Sequence, residues 1–268
     1  MTDFRRLVCA LVAFYAAICA SQIFAQNFAA VVSPPRFELS VKPGERVRDV
    51  VEISNASAQP ATYHVRTGDW TLALDAGVTF SETLGASSCR PWVAIERREI
   101  VVPAGGRYRY RFEVQPPAGS PPGECRFALL IEGEEQSVRT QDGLNVPVNG
   151  RIGVIVYVVV GPAAPDLQIV GTSIGEVAGH KMPILNVRNT GNAHGRLTGF
   201  LSGVDAKGQS LDFSPSTLPI LPGETRAIAL VAGTAPDVIS EVAYPVRVRG
   251  ILEWGAGKRM ELDKQFER

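Results

Sequence analysis

Apolar and polar positions alternate along most of the chain with a period of two, whereas a helix would repeat every three to four residues. Glycine, proline, asparagine and serine clusters separate the alternating runs, as they do between the short strands of a sandwich. The pattern therefore predicts an all-β protein. In the first half we predict strands at Val50–Ile53, Tyr63–Arg66, Trp92–Ile100, Tyr108–Val114, Phe127–Glu132 and Ile152–Val160.

The alternation stops at Gly161–Pro165, where prolines remove backbone donors, and then starts again. In the second half it predicts strands at Leu167–Gly171, Ile184–Arg188, Arg196–Ser202, Ala227–Val231 and Tyr244–Leu252. Both halves contain a strand that ends in asparagine and a later proline-containing turn before another strand. These matching segments are Val51–Asn55 with Leu185–Asn189, and Pro103–Arg107 with Pro222–Arg226. We predict two tandem immunoglobulin-like β-sandwich domains, residues 26–161 and 165–268.

The first 25 residues have the pattern of an export signal. Arg5 and Arg6 precede the apolar run Leu7–Ala20, and small residues allow a cut after Ala25. This run is shorter than the roughly 20 residues that span a membrane. We expect cleavage of residues 1–25 and export of the remainder, and the alternative is an uncleaved anchor.

Charge and hydropathy restrict the partners. The 268 residues contain 27 Lys and Arg and 27 Asp and Glu, and the basic residues are scattered along the chain. Neither a nucleic acid nor an anionic membrane surface is therefore predicted as a partner. Beyond the signal, no apolar run reaches the length of a membrane helix, so we expect no stable membrane insertion.

Two cysteines remain once Cys9 and Cys19 are removed with the signal. In an exported chain, Cys89 and Cys125 most simply form one disulfide, which would stabilise the fold by about 3–4 kcal/mol. Two buried free thiols are the alternative. Two cysteines alone cannot complete a tetrahedral metal site, and we predict no metal or other cofactor.

The motifs that could indicate an enzyme are incomplete. Gly171–Gly175 matches the spacing of a hydrolase nucleophile elbow, but no helix pattern follows it. Gly255–Lys258 lacks the earlier glycine of a phosphate loop, and we interpret both segments as hairpins. His64, His180 and His194 have no second ligand at metal spacing and are predicted to be surface residues. We therefore predict a protein that is not an enzyme.

One alternating run is longer than an ordinary strand. Every even position over residues 144–160 is apolar except for Gly150, so a single strand is expected there with one apolar face. Pro147 lies inside the run and cannot donate to a ladder, which favours a sheet edge. For Ile152–Val160 we favour a strand that packs its own core, and for Leu144–Val148 an exposed or donated edge.

Residues 31–160 resemble the N-terminal domain of PapD-like periplasmic pilus chaperones. The segments that carry the resemblance, besides the long last strand, are Val51–Asn55, Pro91-Trp92, Ile100–Arg107 and Cys125–Ile131. The resemblance implies a periplasmic chaperone-like protein that binds pilin-like subunits by β-strand donation during pilus or fimbria assembly. It adds an outer-membrane usher as a further candidate partner. It places Leu144, Val146 and Val148 at the positions that enter the groove of the subunit.

The sequence departs from that family in two respects. The family holds the terminal carboxylate of the subunit with a basic pair, but Gly153 occupies the expected lysine position and Leu39 lies near the expected arginine position. Arg36 and Arg151 are the substitutes if the register shifts, and otherwise they are solvated surface arginines. The second half resembles a generic immunoglobulin-like domain rather than the second domain of these chaperones. An exported structural or adhesive protein of a cell-surface assembly is therefore the alternative function.

Overall fold

The computed structural model describes residues 28–139, 142, 144–233, 239–255 and 257–267, so the predicted signal peptide lies outside the described residues. Within these ranges the regular elements are β-strands, except for one short 3₁₀ turn at Arg90–Trp92. The prediction of an all-β protein with two immunoglobulin-like sandwiches is confirmed. No helix among these residues has the length and apolar character needed to cross a membrane.

The first sandwich packs two sheets around one core. One sheet has the strand order β1-β3-β8-β6, and the other has the order β2-β12-β9-β4, with β5 and β7 both paired to β4. A separate two-stranded sheet, β10-β11, extends from it. The strands are β1 Ala30–Ser33, β2 Arg36–Val41, β3 Val47–Asn55, β4 Ala61–Leu72, β5 Val78–Ser81, β6 Val93–Ile95, β7 Glu99–Val102, β8 Arg107–Val114, β9 Gly123–Gly133, β10 Gln136–Arg139, β11 Asn145–Val148 and β12 Arg151–Val160.

The second sandwich has the strand order β13-β14-β17-β16-β15-β18-β19 around its own core. The beginning of β17 pairs with β14 and its end pairs with β16, so this strand joins the two layers. The strands are β13 Leu167–Val177, β14 His180–Asn189, β15 Thr198–Val204, β16 Ser210–Pro215, β17 Thr225–Ala232, β18 Val246–Trp254 and β19 Lys258–Phe266. The Gly171–Gly175 segment lies inside β13, and no helix follows it.

Alternation in β12 explains how this strand is buried. Val154, Val156 and Val158 are fully buried in the first core, as the even-numbered apolar positions predicted. On the opposite face, Tyr157 is also buried, against Trp70 and a small apolar cluster. Both faces of β12 are therefore covered.

One predicted strand is wrong. Residues 92–100 form two short strands in different sheets, β6 and β7, instead of one. β6 pairs with β8, whereas β7 pairs with β4. The charged run Glu96-Arg97-Arg98 forms the crossing between the sheets, where the backbone leaves one ladder before it joins the other.

The predicted internal repeat has a structural basis in two buried asparagines. Asn55 Nδ2 donates to the carbonyl of Gln59 at 2.7 Å and to that of Val102 at 3.2 Å. Asn189 Nδ2 donates to the carbonyls of Ala193 and Ile220, both at 2.8 Å. In each sandwich one buried amide therefore links the end of a strand to the residues just before the proline-containing turn, which explains why both asparagines recur.

Cys89 and Cys125 form a disulfide, with their Cα atoms 5.2 Å apart. Cys125 lies on β9, and Cys89 directly precedes the 3₁₀ turn. The bridge therefore fastens the long connection between β5 and β6 to the central strand of its sheet.

Candidate partner-binding strand and the junction between the sandwiches

β9 and β12 both lead into the separate β10–β11 hairpin. They pair with each other as far as Arg151, and one further hydrogen bond joins Gly133 N to Gly150 O at 3.0 Å. Beyond that bond, β10 pairs with β11 in a sheet of their own. The expectation of one continuous strand over residues 144–160 is therefore wrong, because the ladder is interrupted at Asn149-Gly150.

The predicted donor residues form an exposed row on this hairpin. Leu144, Val146 and Val148 are 66%, 42% and 45% exposed, whereas the valines that continue the alternation in β12 are buried. Residues two apart on a strand point to the same face, about 7 Å from each other. The row therefore presents aliphatic side chains at regular spacing.

β11 is also an edge strand. Among the described strands β10 is its one pairing partner, so its other side faces no strand. Pro147 lies in its middle and supplies no N–H to a ladder. A short edge strand with exposed apolar side chains has the geometry that a partner sheet covers when it binds by strand addition.

The two candidate anchor arginines lie on one face of the sheet but far from each other. Arg36 is opposite Ile155 in the β2–β12 ladder, so four residues, about 13 Å of strand, separate it from Arg151. Arg36 Nε lies 3.1 Å from Glu38 Oε1, and Arg151 forms an ion pair with Glu132. The structure therefore does not assemble a basic pair from these two residues.

Gly153, at the expected lysine position, is covered by an aromatic ring. A Cβ atom added there would lie only 2.1 Å from Phe80 Cζ. The β5 strand places Phe80 over this face of β12, beside Trp70 and Tyr157. The glycine therefore leaves the space that Phe80 occupies, and a long basic side chain has no room at this position.

This packing predicts that Gly153→Ala destabilises the protein by about 1–3 kcal/mol, because the added methyl group forces Phe80 out of its position. Urea denaturation monitored by tryptophan fluorescence measures the loss. Gly119→Ala is the matched control, because nothing lies within 4 Å of a Cβ atom there. Equal stability of the two variants would contradict the tight packing of Phe80 on Gly153.

An ionic cluster, largely buried but with Glu38 about half exposed, lies where the two sandwiches meet, and it was not predicted. His194 is on the turn after β14, and its side chain is only 8% exposed, so the prediction of a surface histidine is wrong. The ring stacks on Tyr157, with centroids 3.9 Å apart. Its Nδ1–H donates to Glu124 Oε2, and its Nε2 lies 3.6 Å from Glu38 Oε1. The second sandwich buries this histidine against β2, β9 and β12 of the first.

Two arginines complete this cluster, which we call the junction cluster and define as Glu38, Glu124, Arg126, Tyr157, His194 and Arg196. Arg196 lies over the Tyr157 ring with its Nε 3.6 Å from Glu38. Arg126 lies 4.0 Å from Glu124 and over the Trp70 ring. Tyr157 is an aromatic residue in a run of valines on β12. It is the sequence feature that could have indicated that another part of the protein covers this face of the strand.

Electrostatic interactions favour the charged forms of two residues of the junction cluster, Glu38 and His194. The neighbouring His194 is the largest cause that lowers the pKa of Glu38, to about 2. Burial disfavours a charged imidazole, but the hydrogen bonds to Glu124 and Glu38 outweigh it, so the pKa of His194 is raised. The carboxylates and the imidazolium therefore support each other across the junction.

A second contact joins the sandwiches through Arg226. This arginine is 1% exposed, and its Nη1 donates to the carbonyl of Ala73 at 3.0 Å and to that of Leu74 at 3.4 Å. It also pairs with Glu224 beside it. Because these carbonyls belong to the β4–β5 turn, the guanidinium holds that turn against the second sandwich.

No protein-family model matches the chain, and no curated protein matches it. The chain is similar in structure to fimbrial chaperones. For the class 5 fimbriae chaperone CfaA the identity is 12% and the TM-score 0.46, with 89% of this chain and 99% of that chain covered. For the Pseudomonas aeruginosa chaperone CupB2 the values are 13% and 0.44, with 88% and 100% covered. A structure of the Salmonella enterica SafA pilin with the SafB chaperone gives 11% and 0.45, with 90% and 98% covered.

Proposed function

We propose that this protein is a periplasmic chaperone-like protein that binds pilin-like subunits by donating β11 during pilus or fimbria assembly. The observation that carries the proposal is the exposed row of Leu144, Val146 and Val148 on an edge strand. Each of these side chains, buried in an apolar groove, would contribute about 1.5–3 kcal/mol to binding. Export of the protein is also part of this proposal, because the predicted export signal lies outside the residues that the structure describes.

The geometry supports donation in two ways. The free side of β11 offers backbone groups to a partner strand, and the alternating side chains offer a row of contacts to the groove beneath that strand. Pro147 removes one donor from the middle of this edge. This limits the ladder that two copies of β11 would form with each other, while a groove can still receive the side chains.

The carboxylate anchor in this proposal rests on Arg151 rather than on a pair. Arg151 is three residues beyond Val148 and its side chain is 44% exposed, whereas Arg36 lies farther along the sheet. We expect Arg151→Ala to weaken subunit binding roughly tenfold, the effect of losing one charge-assisted hydrogen bond. Isothermal titration with a purified subunit measures it. Arg36→Ala serves as the comparison, and equal binding by wild type and both variants would remove the anchor from the proposal.

The experiment that tests the proposed function is a capture of the tagged mature protein from the periplasm of its own host, followed by mass spectrometry. A stoichiometric small β-rich subunit is the expected result, and co-capture of an outer-membrane protein would identify the usher. Recovery of the protein alone, from cells shown to express such subunits, would contradict the proposal. Self-association in analytical ultracentrifugation would then favour the alternative of a structural or adhesive protein.

A further inference from the structure

Two glycines form the root of the donor hairpin. Gly133 ends β9 and Gly150 precedes β12, and the hydrogen bond between them is the last rung before β10 and β11 separate from the main sheet. Neither residue has the positive φ angle that would itself require glycine. Another reason must account for the absence of a side chain at both positions.

Phe28 supplies that reason, because its ring occupies the space above both glycines. A Cβ atom added to Gly150 would lie 2.1 Å from Phe28 Cγ, and one added to Gly133 would lie 2.6 Å from Phe28 Cδ2. Real Cβ atoms do not approach other atoms so closely. The phenylalanine therefore lies directly on the backbone at the root of the hairpin.

The same ring ties the root to the rest of the first sandwich. Phe28 packs edge-to-face on Tyr63, with ring centroids 5.9 Å apart, and Tyr63 is opposite Gly133 in the β4–β9 ladder. The backbone that follows Phe28 forms β1, which pairs with β3 in the other sheet. Phe28 therefore connects one sheet of the sandwich to the hairpin that extends from the other.

We propose that Phe28 is a positioning residue for strand donation, which holds the β10–β11 hairpin at a fixed angle by packing on the glycines at its root. The expected effect of Phe28 on subunit binding rests on the proposed function. The packing of Phe28 on the root of the hairpin does not. A two-stranded hairpin has little stability of its own in water. The hairpin therefore depends on its root for a defined orientation, and a pre-oriented strand loses less conformational freedom when it enters a groove.

Hydrogen exchange, measured on the protein without a partner, tests whether Phe28 holds the root of the hairpin. Phe28→Ala should raise the exchange rates of the β10 and β11 amides about tenfold and those of β9 and β12 by much less, because the hairpin loses the packing at its root whereas β9 and β12 keep their long ladder. Val31→Ala is the matched control, since Val31 lies in the same segment but is 56% exposed. Phe28→Leu retains most of the contact and should fall between wild type and Phe28→Ala, which keeps the test valid if the alanine variant folds poorly.

A double-mutant cycle sharpens the assignment. Gly133→Ala should loosen the hairpin in the wild-type background, because the new methyl group displaces the ring. In the Phe28→Ala background the same methyl group enters vacated space and should have little effect, because the three heavy atoms nearest to it are all ring atoms of Phe28. Equal effects of Gly133→Ala in both backgrounds, or unchanged hairpin exchange in Phe28→Ala, would overturn the proposal.

Subunit binding separates this inference from the proposed function. If wild type binds a subunit, Phe28→Ala should weaken binding about tenfold through the lost pre-orientation, and Val31→Ala should not. Unchanged binding by Phe28→Ala would overturn the positioning role while donation itself stands. Absence of binding by wild type would overturn the proposed function, whereas faster hairpin exchange in Phe28→Ala would still support the packing of Phe28 on the root.

Discussion

The double variant Val146→Asp/Val148→Asp should lose subunit binding by roughly a thousandfold. Each substitution removes about 2 kcal/mol of apolar burial in the groove, and the two losses together correspond to that factor. Two carboxylates that enter an apolar groove without partners add a further desolvation cost. The fold should be retained, because both side chains are exposed in the free protein.

The matched control for this variant is Val170→Asp/Val204→Asp. These valines are 55% and 54% exposed on strands of the second sandwich, so they receive the same chemical change at similar exposure. Titration calorimetry with a purified subunit measures affinity, and circular dichroism with thermal melting checks the fold of both variants. Retained binding by the β11 variant, or an equal loss in the control, would contradict donation by this strand.

The second large effect is expected at the junction cluster. His194→Gln should destabilise the whole protein by about 3 kcal/mol, because the buried Glu124 carboxylate loses its nearest cation and keeps only Arg126, 4.0 Å away. The Glu124 side chain is 0% exposed, so water cannot replace the imidazolium. His64→Gln is the matched control: His64 lies 3.7 Å from Glu99, but both side chains are about half exposed, and its loss should cost less than about 1 kcal/mol.

Double substitution tests whether the two junction residues act as a pair. His194→Gln/Glu124→Gln should be less destabilised than the sum of the single variants, because two neutral amides remove the buried carboxylate that has lost its nearest cation. Urea denaturation of all four proteins at one pH measures the coupling. Additive losses would show that His194 stabilises the junction by packing alone.

The same cluster predicts the direction of the pH dependence. The raised pKa of His194 means that its stabilisation is fully present below its unfolded value of 6.5 and is lost as pH rises through the folded pKa. The lowered pKa of Glu38 means that its stabilisation is present above 4.5 and is lost as pH falls towards about 2. Junction stability should therefore be highest between these limits. His194→Gln should flatten the alkaline side of the profile.

Period-two alternation predicted the strands well where one face meets the core of the same sandwich. It assigned Val154, Val156 and Val158 to the buried face of β12, as the structure has them. The pairing of Val51–Asn55 with Leu185–Asn189 predicted a repeat, and the equivalent hydrogen bonds of the two asparagines explain why it is detectable. Such features depend on residues close in sequence or on a periodic face, so the sequence displays them directly.

The features that were missed depend on contacts between distant segments. Alternation shows on which face a side chain lies but not where a ladder ends, so the sequence did not indicate the break at Gly150, where Phe28 packs on the backbone. His194 is buried by Glu124, 70 residues earlier in the chain, and nothing near the histidine marks that contact. At Gly153, Phe80 from a different strand occupies the space that the expected lysine would need.

Site-specific photo-crosslinking from β11 tests the central claim most directly. p-Benzoylphenylalanine at position 146 places the reactive group in the exposed row, and the same residue at position 204 places it on the second sandwich. Irradiation of the purified complex should crosslink position 146, and not position 204, to residues that line one groove of the subunit. Crosslinks from position 204 alone, or from position 146 to the outer surface of the subunit, would contradict strand donation by β11.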